Sequence, residues 1–112
     1  MENDHLQESG LTIIAPDIHI DGKVQITREL HLFGKISGEV LGKEGSLLIL
    51  KEGSLVEGRI RAATLIVDGF AKGEIEATQR VWVTSRGKVS GSVKTPSLQV
   101  DPGAVFEAKV LM

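Results

Sequence analysis

Leu30-His31-Leu32-Phe33-Gly34-Lys35-Ile36-Ser37-Gly38-Glu39-Val40 holds the pattern from which the fold follows. Two aliphatics separated by one residue open it, a glycine comes next, and two more aliphatics, Ile36 and Val40, stand beyond small-residue corners. Segments this short with period-two alternation are strands and not helices. The opening triplet returns as Leu48-Ile49-Leu50, Leu65-Ile66-Val67, Val81-Trp82-Val83 and Leu98-Gln99-Val100, at intervals of 18, 17, 16 and 17 residues. A near-constant interval of that size identifies stacked copies of one structural unit.

Two further apolar positions follow in each copy: Ile36 and Val40, Leu55 and Ile60, Ala71 and Ile75, Val89 and Val93, Val105 and Val110. Gly34, Gly53, Gly69, Gly87 and Gly103 each stand two residues before the first of these. Ile13, Ile18-His19-Ile20, Gly22, Val24 and Ile26 fit as an earlier copy in the same phase, which makes six. Three short strands per copy, separated by glycine or polar corners, stack into an all-β, single-domain parallel β-helix of triangular cross-section. At about 4.8 Å per turn, six turns are roughly 29 Å long. Residues 12–112 are assigned to this solenoid and residues 1–11 to a short polar tail expected to be disordered.

The proposed register makes a prediction about the outward positions, because a slip of one residue would exchange the two faces of every strand. One outward column reads Glu39, Arg59, Glu74, Ser92, Lys109, and its neighbour reads Leu41, Arg61, Glu76, Lys94. Opposite charges fall on adjacent turns in both, where same-face neighbours attract by a few tenths to about 1 kcal/mol per pair.

Composition agrees with a thin interior. Aromatics are 4% of the 112 residues beside plentiful Val, Ile and Leu, and thirteen glycines suit many tight corners. The formal charge of −2 gives no electrostatic reason to expect nucleic acid or anionic lipid as the main partner. The absence of cysteine removes disulfides and thiolate metal sites, and no secretory pattern opens the chain, so the expected location is the cytoplasm.

The sequence implies no enzyme. Neither a P-loop nor a dinucleotide-binding glycine motif is present, so any assembly is expected to proceed without nucleotide. His5, His19 and His31 are the only imidazoles, and no third ligand at a workable spacing joins His19 and His31, so solvated surface histidine outweighs a zinc site. Asp21, Asp68 and Asp101 each precede a glycine or Pro-Gly corner and read as turn-forming carboxylates. Hexapeptide acyltransferases are also triangular β-helices, but their six-residue step is stricter and a loop carrying a catalytic histidine is missing here. A trimeric enzyme of that class is the least favoured alternative. No cofactor or metal is expected.

Two surfaces carry the functional reading. Ile49, Ile66 and Trp82 form a vertical outward stripe flanked by His31 and Gln99, a candidate lateral or partner contact. The sequence also shows no evident cap at either end of the coil, where unpaired backbone and half-covered core would meet water. Val105, Phe106, Val110 and Leu111 are the candidates for one end contact, and Ile13, Ile14 and Ile18 for the other.

The Ile20-Asp21-Gly22-Lys23-Val24 opening, the repeated Gly34-Lys35-Ile36-Ser37-Gly38-Glu39-Val40 type of unit and the closing Asp101-Pro102-Gly103-Ala104-Val105-Phe106 resemble the bactofilins, over about Ile13 to Met112. The resemblance implies a right-handed β-helix, nucleotide-independent non-polar filaments joined through like ends, and a role in cell shape or envelope organisation. Phe106 falls on the family's C-terminal phenylalanine, implicated in the end contact. Ala108 stands where the family commonly has glycine. Met1 to Gly10 is neither apolar nor basic, unlike the membrane anchors of many members, so any link to the inner membrane is expected to run through partners. The alternative is a β-helical binding module that recruits cell-wall or envelope enzymes.

Overall fold

A computed structural model describes residues 11–111. The expected tail, apart from Leu11, lies outside the described residues, as do His5 and Met112. Ten strands form one sheet in which every pairing is parallel: β1 (Leu11–Ile14), β2 (His19–Ile26), β3 (Glu29–Leu32), β4 (Lys35–Gly42), β5 (Leu47–Leu50), β6 (Leu55–Val67), β7 (Phe70–Val83), β8 (Lys88–Lys94), β9 (Leu98–Val100) and β10 (Val105–Leu111). They wind into a β-solenoid of about six turns with three faces.

The first face carries the recurring triplet. Leu30, Leu48, Leu65, Val81 and Leu98 lie in one register column and Leu32, Leu50, Val67, Val83 and Val100 in the next. The second face stacks Ile20, Ile36, Val56, Ala71, Val89 and Phe106, and the third stacks Val24, Val40, Ile60, Ile75, Val93 and Val110. Where these columns pass through turns two to five, no member is more than 3% exposed. Burying each Val, Leu or Ile among them is worth about 1.5–3 kcal/mol over leaving it wet. A narrow interior of aliphatic stacks therefore carries the fold without large rings.

Two features depart from the expected pattern. In the third and sixth turns the inward residues of the second face are Val56 and Phe106, one place beyond Leu55 and Val105, which point outward in register with Phe70 and Lys88. Gly53 and Gly103 sit in the tight turns before them at φ 89° and 98°. Gly34, Gly69 and Gly87 instead occupy a later corner position where a Cβ would come within 2.3 Å of a neighbouring oxygen. The repeat carries two kinds of glycine, one chosen for backbone angle and one for close approach.

The second and third faces are also not separate strands. β2, β4, β6, β7, β8 and β10 each run through the corner between them. Gly22, Gly38, Gly58, Gly73 and Gly91 stack there, all with φ between 119° and 135°. That backbone geometry is open to glycine and strained for other residues, so the first five of these strands turn the corner without interrupting their ladder, while β10 rounds it at Ala108 without a positive φ. Variation in the length of the repeat is absorbed at other corners, including the irregularity between Ala62 and Thr64. Buried Ser46, Ser54 and Thr95 all have partners: the Ser46 hydroxyl accepts the Ala63 N–H at 3.3 Å, Ser54 donates to Lys51 O at 2.6 Å and Thr95 donates to Ser97 O at 3.1 Å.

Candidate assembly surfaces

Burial changes abruptly at the C-terminal end. Val83 is fully buried and Val100, one turn on in the same column, is 39% exposed; Val93 is fully buried and Val110 is 36% exposed. Leu98 and Phe106 are likewise only partly covered. Among the described residues, β9 pairs only with β7 and β10 only with β8, so each offers a row of backbone groups on its other edge. An edge of that kind is a template for another strand. At the other extremity, among the described residues, β1 pairs only with β3 and β2 only with β4, and the inward Ile20 and Val24 are partly covered.

The residues proposed for the ends divide between two orientations. Phe106 and Val110 lie on the open C-terminal cross-section. Val105 and Leu111 point outward, in register with Lys88 and Lys94. At the first turn Ile14 is buried at 8% and stacks on Leu32. Ile13 points outward opposite His31 and is 59% exposed, and exposed Ile18 occupies the corner before β2. Sequence reasoning did not assign Leu98 and Val100 to one end, or Ile20 and Val24 to the other. The signal was available, since each continues an inward column into a terminal turn.

The lateral stripe is in register as expected: Ile13, His31, Ile49, Ile66, Trp82 and Gln99 follow one another up the first face. Ile49, Ile66 and Trp82 are half-buried and stand in successive turns of one column. The Trp82 indole N–H donates to Asp101 Oδ2 at 3.0 Å, and Gln99 donates to the other oxygen of that carboxylate at 3.2 Å. His31 Nε2 lies 2.5 Å from Glu29 Oε2, which fixes the ring between Ile13 and Ile49.

On the third face the first charged column is paired along its lower length. Lys23 and Glu39 approach to 3.8 Å, Glu39 and Arg59 to 3.8 Å, and Arg59 and Glu74 to 3.1 Å. These pairs are solvated, so each contributes at most about 1 kcal/mol. The second column, Leu41, Arg61, Glu76 and Lys94, is aligned by the ladder, but no ion pair within 4 Å joins its charges.

His19, Asp21 and Asp68 make local contacts. His19 lies 3.1 Å from Ser37 Oγ, on a different face from His31, and among the described residues no three His, Cys, Asp or Glu side chains converge. Asp68 accepts a hydrogen bond from the Thr84 hydroxyl at 2.6 Å, and Asp21 lies 3.6 Å from His19. No helix among the described residues is long and apolar enough to cross a membrane.

The profile of the family described as "Bactofilin: Polymer-forming cytoskeletal" matches residues 12–111. Bactofilin BacP of Myxococcus xanthus strain DK1622 is 29% identical over 101 residues, which cover 90% of this chain and 41% of BacP. The chain thus spans about two fifths of that relative's length. Bactofilin BacO of the same strain is also 29% identical over 101 residues, covering 90% of this chain and 79% of BacO. Among solved structures, the cryo-EM reconstruction of Thermus thermophilus bactofilin double helical filaments matches with a TM-score of 0.82 and 25% identity, over 89% of this chain and 97% of that one.

Proposed function

The chain belongs to the bactofilin family of polymer-forming cytoskeletal proteins, and from that premise we propose that it elongates end to end, through like ends and without nucleotide, into non-polar filaments. The family is structural and not enzymatic. The observation that carries the proposal is the loss of burial in the last turn, where Val100 and Val110 end columns that are dry in the turn below. Docking a second copy there covers those side chains and pairs the edges of β9 and β10. Each aliphatic re-covered is worth up to about 1.5–3 kcal/mol and each backbone bond about 0.5–1.5 kcal/mol net. A total on the order of 10 kcal/mol is comparable with the ~4–15 kcal/mol of association freedom lost, so joints of moderate strength are expected.

The filaments would act in cell shape or envelope organisation, in the cytoplasm and peripheral to the inner membrane through protein partners. Electron microscopy of purified protein in nucleotide-free buffer tests the proposal, with filaments expected above a threshold concentration. Monodisperse monomer at all concentrations and salt levels would reject it. Phe106→Arg should leave a folded β protein that no longer elongates, because the charge would be buried in the joint without a counter-ion.

The in-register stripe supports a second role for the first face. Ile49, Ile66 and Trp82 form a vertical apolar ridge suited to lateral contact, either with a neighbouring filament, as the double helical filaments of the Thermus relative suggest, or with an envelope enzyme.

A further inference from the structure

Both edge strands carry the same charge order around the corner of the coil. In β2 the corner residue Gly22 is preceded by Asp21 and followed by Lys23. In β10 the corner residue Ala108 is preceded by Glu107 and followed by Lys109. All four charged side chains are exposed. In the turn below, Glu107 and Lys109 stand over the neutral Ser90 and Ser92, so the neighbouring turn leaves their charge uncompensated.

Two ways of joining copies place these groups differently. A head-to-tail joint that continues the coil column by column keeps the strands parallel. It stacks Glu107 on Asp21 and Lys109 on Lys23 of the next copy, two contacts between like charges. A joint between two C-terminal ends, related by a two-fold axis through the Ala108 corner and the middle of the opposite face, runs the strands antiparallel. Glu107 then faces Lys109 of the second copy, Phe106 faces Val110, Val105 faces Leu111, and Leu98 faces Val100. The N-terminal end has the same self-complementarity: Asp21 faces Lys23, and Ile20 faces Val24. Directly opposed strand residues attract when oppositely charged and repel when alike, and a two-fold interface requires such self-complementary order.

We infer that Asp21 with Lys23 and Glu107 with Lys109 are the residues that set filament polarity, stabilising joints between like ends and opposing head-to-tail joints. The inference rests on end-to-end polymerisation, and it assigns the choice of joint to four named charges while the apolar columns supply the adhesion.

Complementary single substitutions test it at low salt. Glu107→Lys and Lys109→Glu each place two like-charge contacts in the C-terminal joint, while the N-terminal joint is untouched. Each variant alone should stop at dimers and need about ten-fold more protein, or higher, to form filaments. A 1:1 mixture should restore filaments to the wild-type threshold, because a lysine-only end then meets a glutamate-only end. The double reversal, Glu107→Lys with Lys109→Glu, keeps opposite charges facing across the two-fold and should elongate alone. Far-UV circular dichroism confirms that the variants are folded.

Head-to-tail joining predicts the reverse sign, since each single substitution would replace a like-charge contact with an attractive one. If wild type forms filaments and the single variants elongate equally well or better, if their mixture is no better than either alone, or if the double reversal fails to elongate, the charge assignment is overturned. If wild type itself forms no filament under any condition, the polymerisation reading fails and the charge assignment falls with it.

Discussion

Replacing Gly58 with alanine should destabilise the fold far more than the same change at Gly22, although both residues have nearly the same backbone angle. Their φ values are 131° and 123°, in the region that strains an L-residue by about 1–3 kcal/mol. Alanine also lowers the entropy of the unfolded chain, which returns roughly 0.4–1 kcal/mol. The two sites differ in what the new methyl group meets. At Gly22 nothing among the described residues lies within 4 Å, whereas at Gly58 a Cβ would stand 1.9 Å from the Gly38 carbonyl oxygen. That is about 1.5 Å short of ordinary contact, which begins at 3.4 Å, so turns two and three must part locally. Two or three ladder hydrogen bonds would weaken, at roughly 1 kcal/mol each. Gly22→Ala is therefore expected to cost about 0.5–2 kcal/mol and Gly58→Ala about 3–5 kcal/mol. At about 4 °C per kcal/mol for a domain near 100 residues, Tm falls by ~2–8 °C and by more than ~12 °C. Thermal unfolding followed by circular dichroism measures both, below the filament threshold so that polymerisation adds no apparent stability. Equal losses at the two sites would refute the argument that turn-to-turn contact, and not backbone angle alone, requires glycine in this column.

Leu50→Ala, at a fully buried position in the middle of its column, should cost about 2–5 kcal/mol in denaturant unfolding. Val100→Ala, at the partly exposed end of the same column, should cost under about 1 kcal/mol in monomer stability yet raise the filament threshold. Arg59→Ala removes pairs to Glu39 and Glu74 and should cost under about 1 kcal/mol, a difference that disappears in unfolding curves taken at 1 M salt. Trp82→Lys should abolish bundles or partner binding in pelleting and pull-down assays while single filaments persist by microscopy, and no change in either would remove the lateral role of the first face.

The columns were legible in the sequence because inward and outward residues alternate strictly on each face. Leu48, Leu50, Leu65 and Val67 declare their orientation by their spacing, and stacking then put Glu39, Arg59 and Glu74 in one line. The third face extended this to the outward charges, where Arg59 and Glu74 meet at 3.1 Å. Alignment alone did not guarantee contact, since Arg61 and Glu76 share a column and form no ion pair within 4 Å. The corners were harder. The corners from Leu50 to Val56 and from Val100 to Phe106 are as long as that from Val83 to Val89, but their glycines, Gly53 and Gly103, stand one place earlier than Gly87, so Val56 and Phe106 turn inward where Leu55 and Val105 had been expected. The unbroken bend through Gly22, Gly38, Gly58, Gly73 and Gly91 depends on backbone angles that residue type permits without dictating. The same alternation explains the end surfaces. Ile13, Val105 and Leu111 are apolar and lie in terminal turns, yet strand parity sends them to the flanks, while Val100 and Val110 face the open cross-section.

Cryo-EM reconstruction of filaments grown without nucleotide tests the central claim most directly. Six turns at about 4.8 Å give a subunit roughly 29 Å long, so like-end joints predict an axial repeat of two subunits, roughly 58 Å, with a two-fold axis at every joint. A polar repeat of one subunit, or joints that leave Val100 and Val110 exposed to solvent, would contradict it.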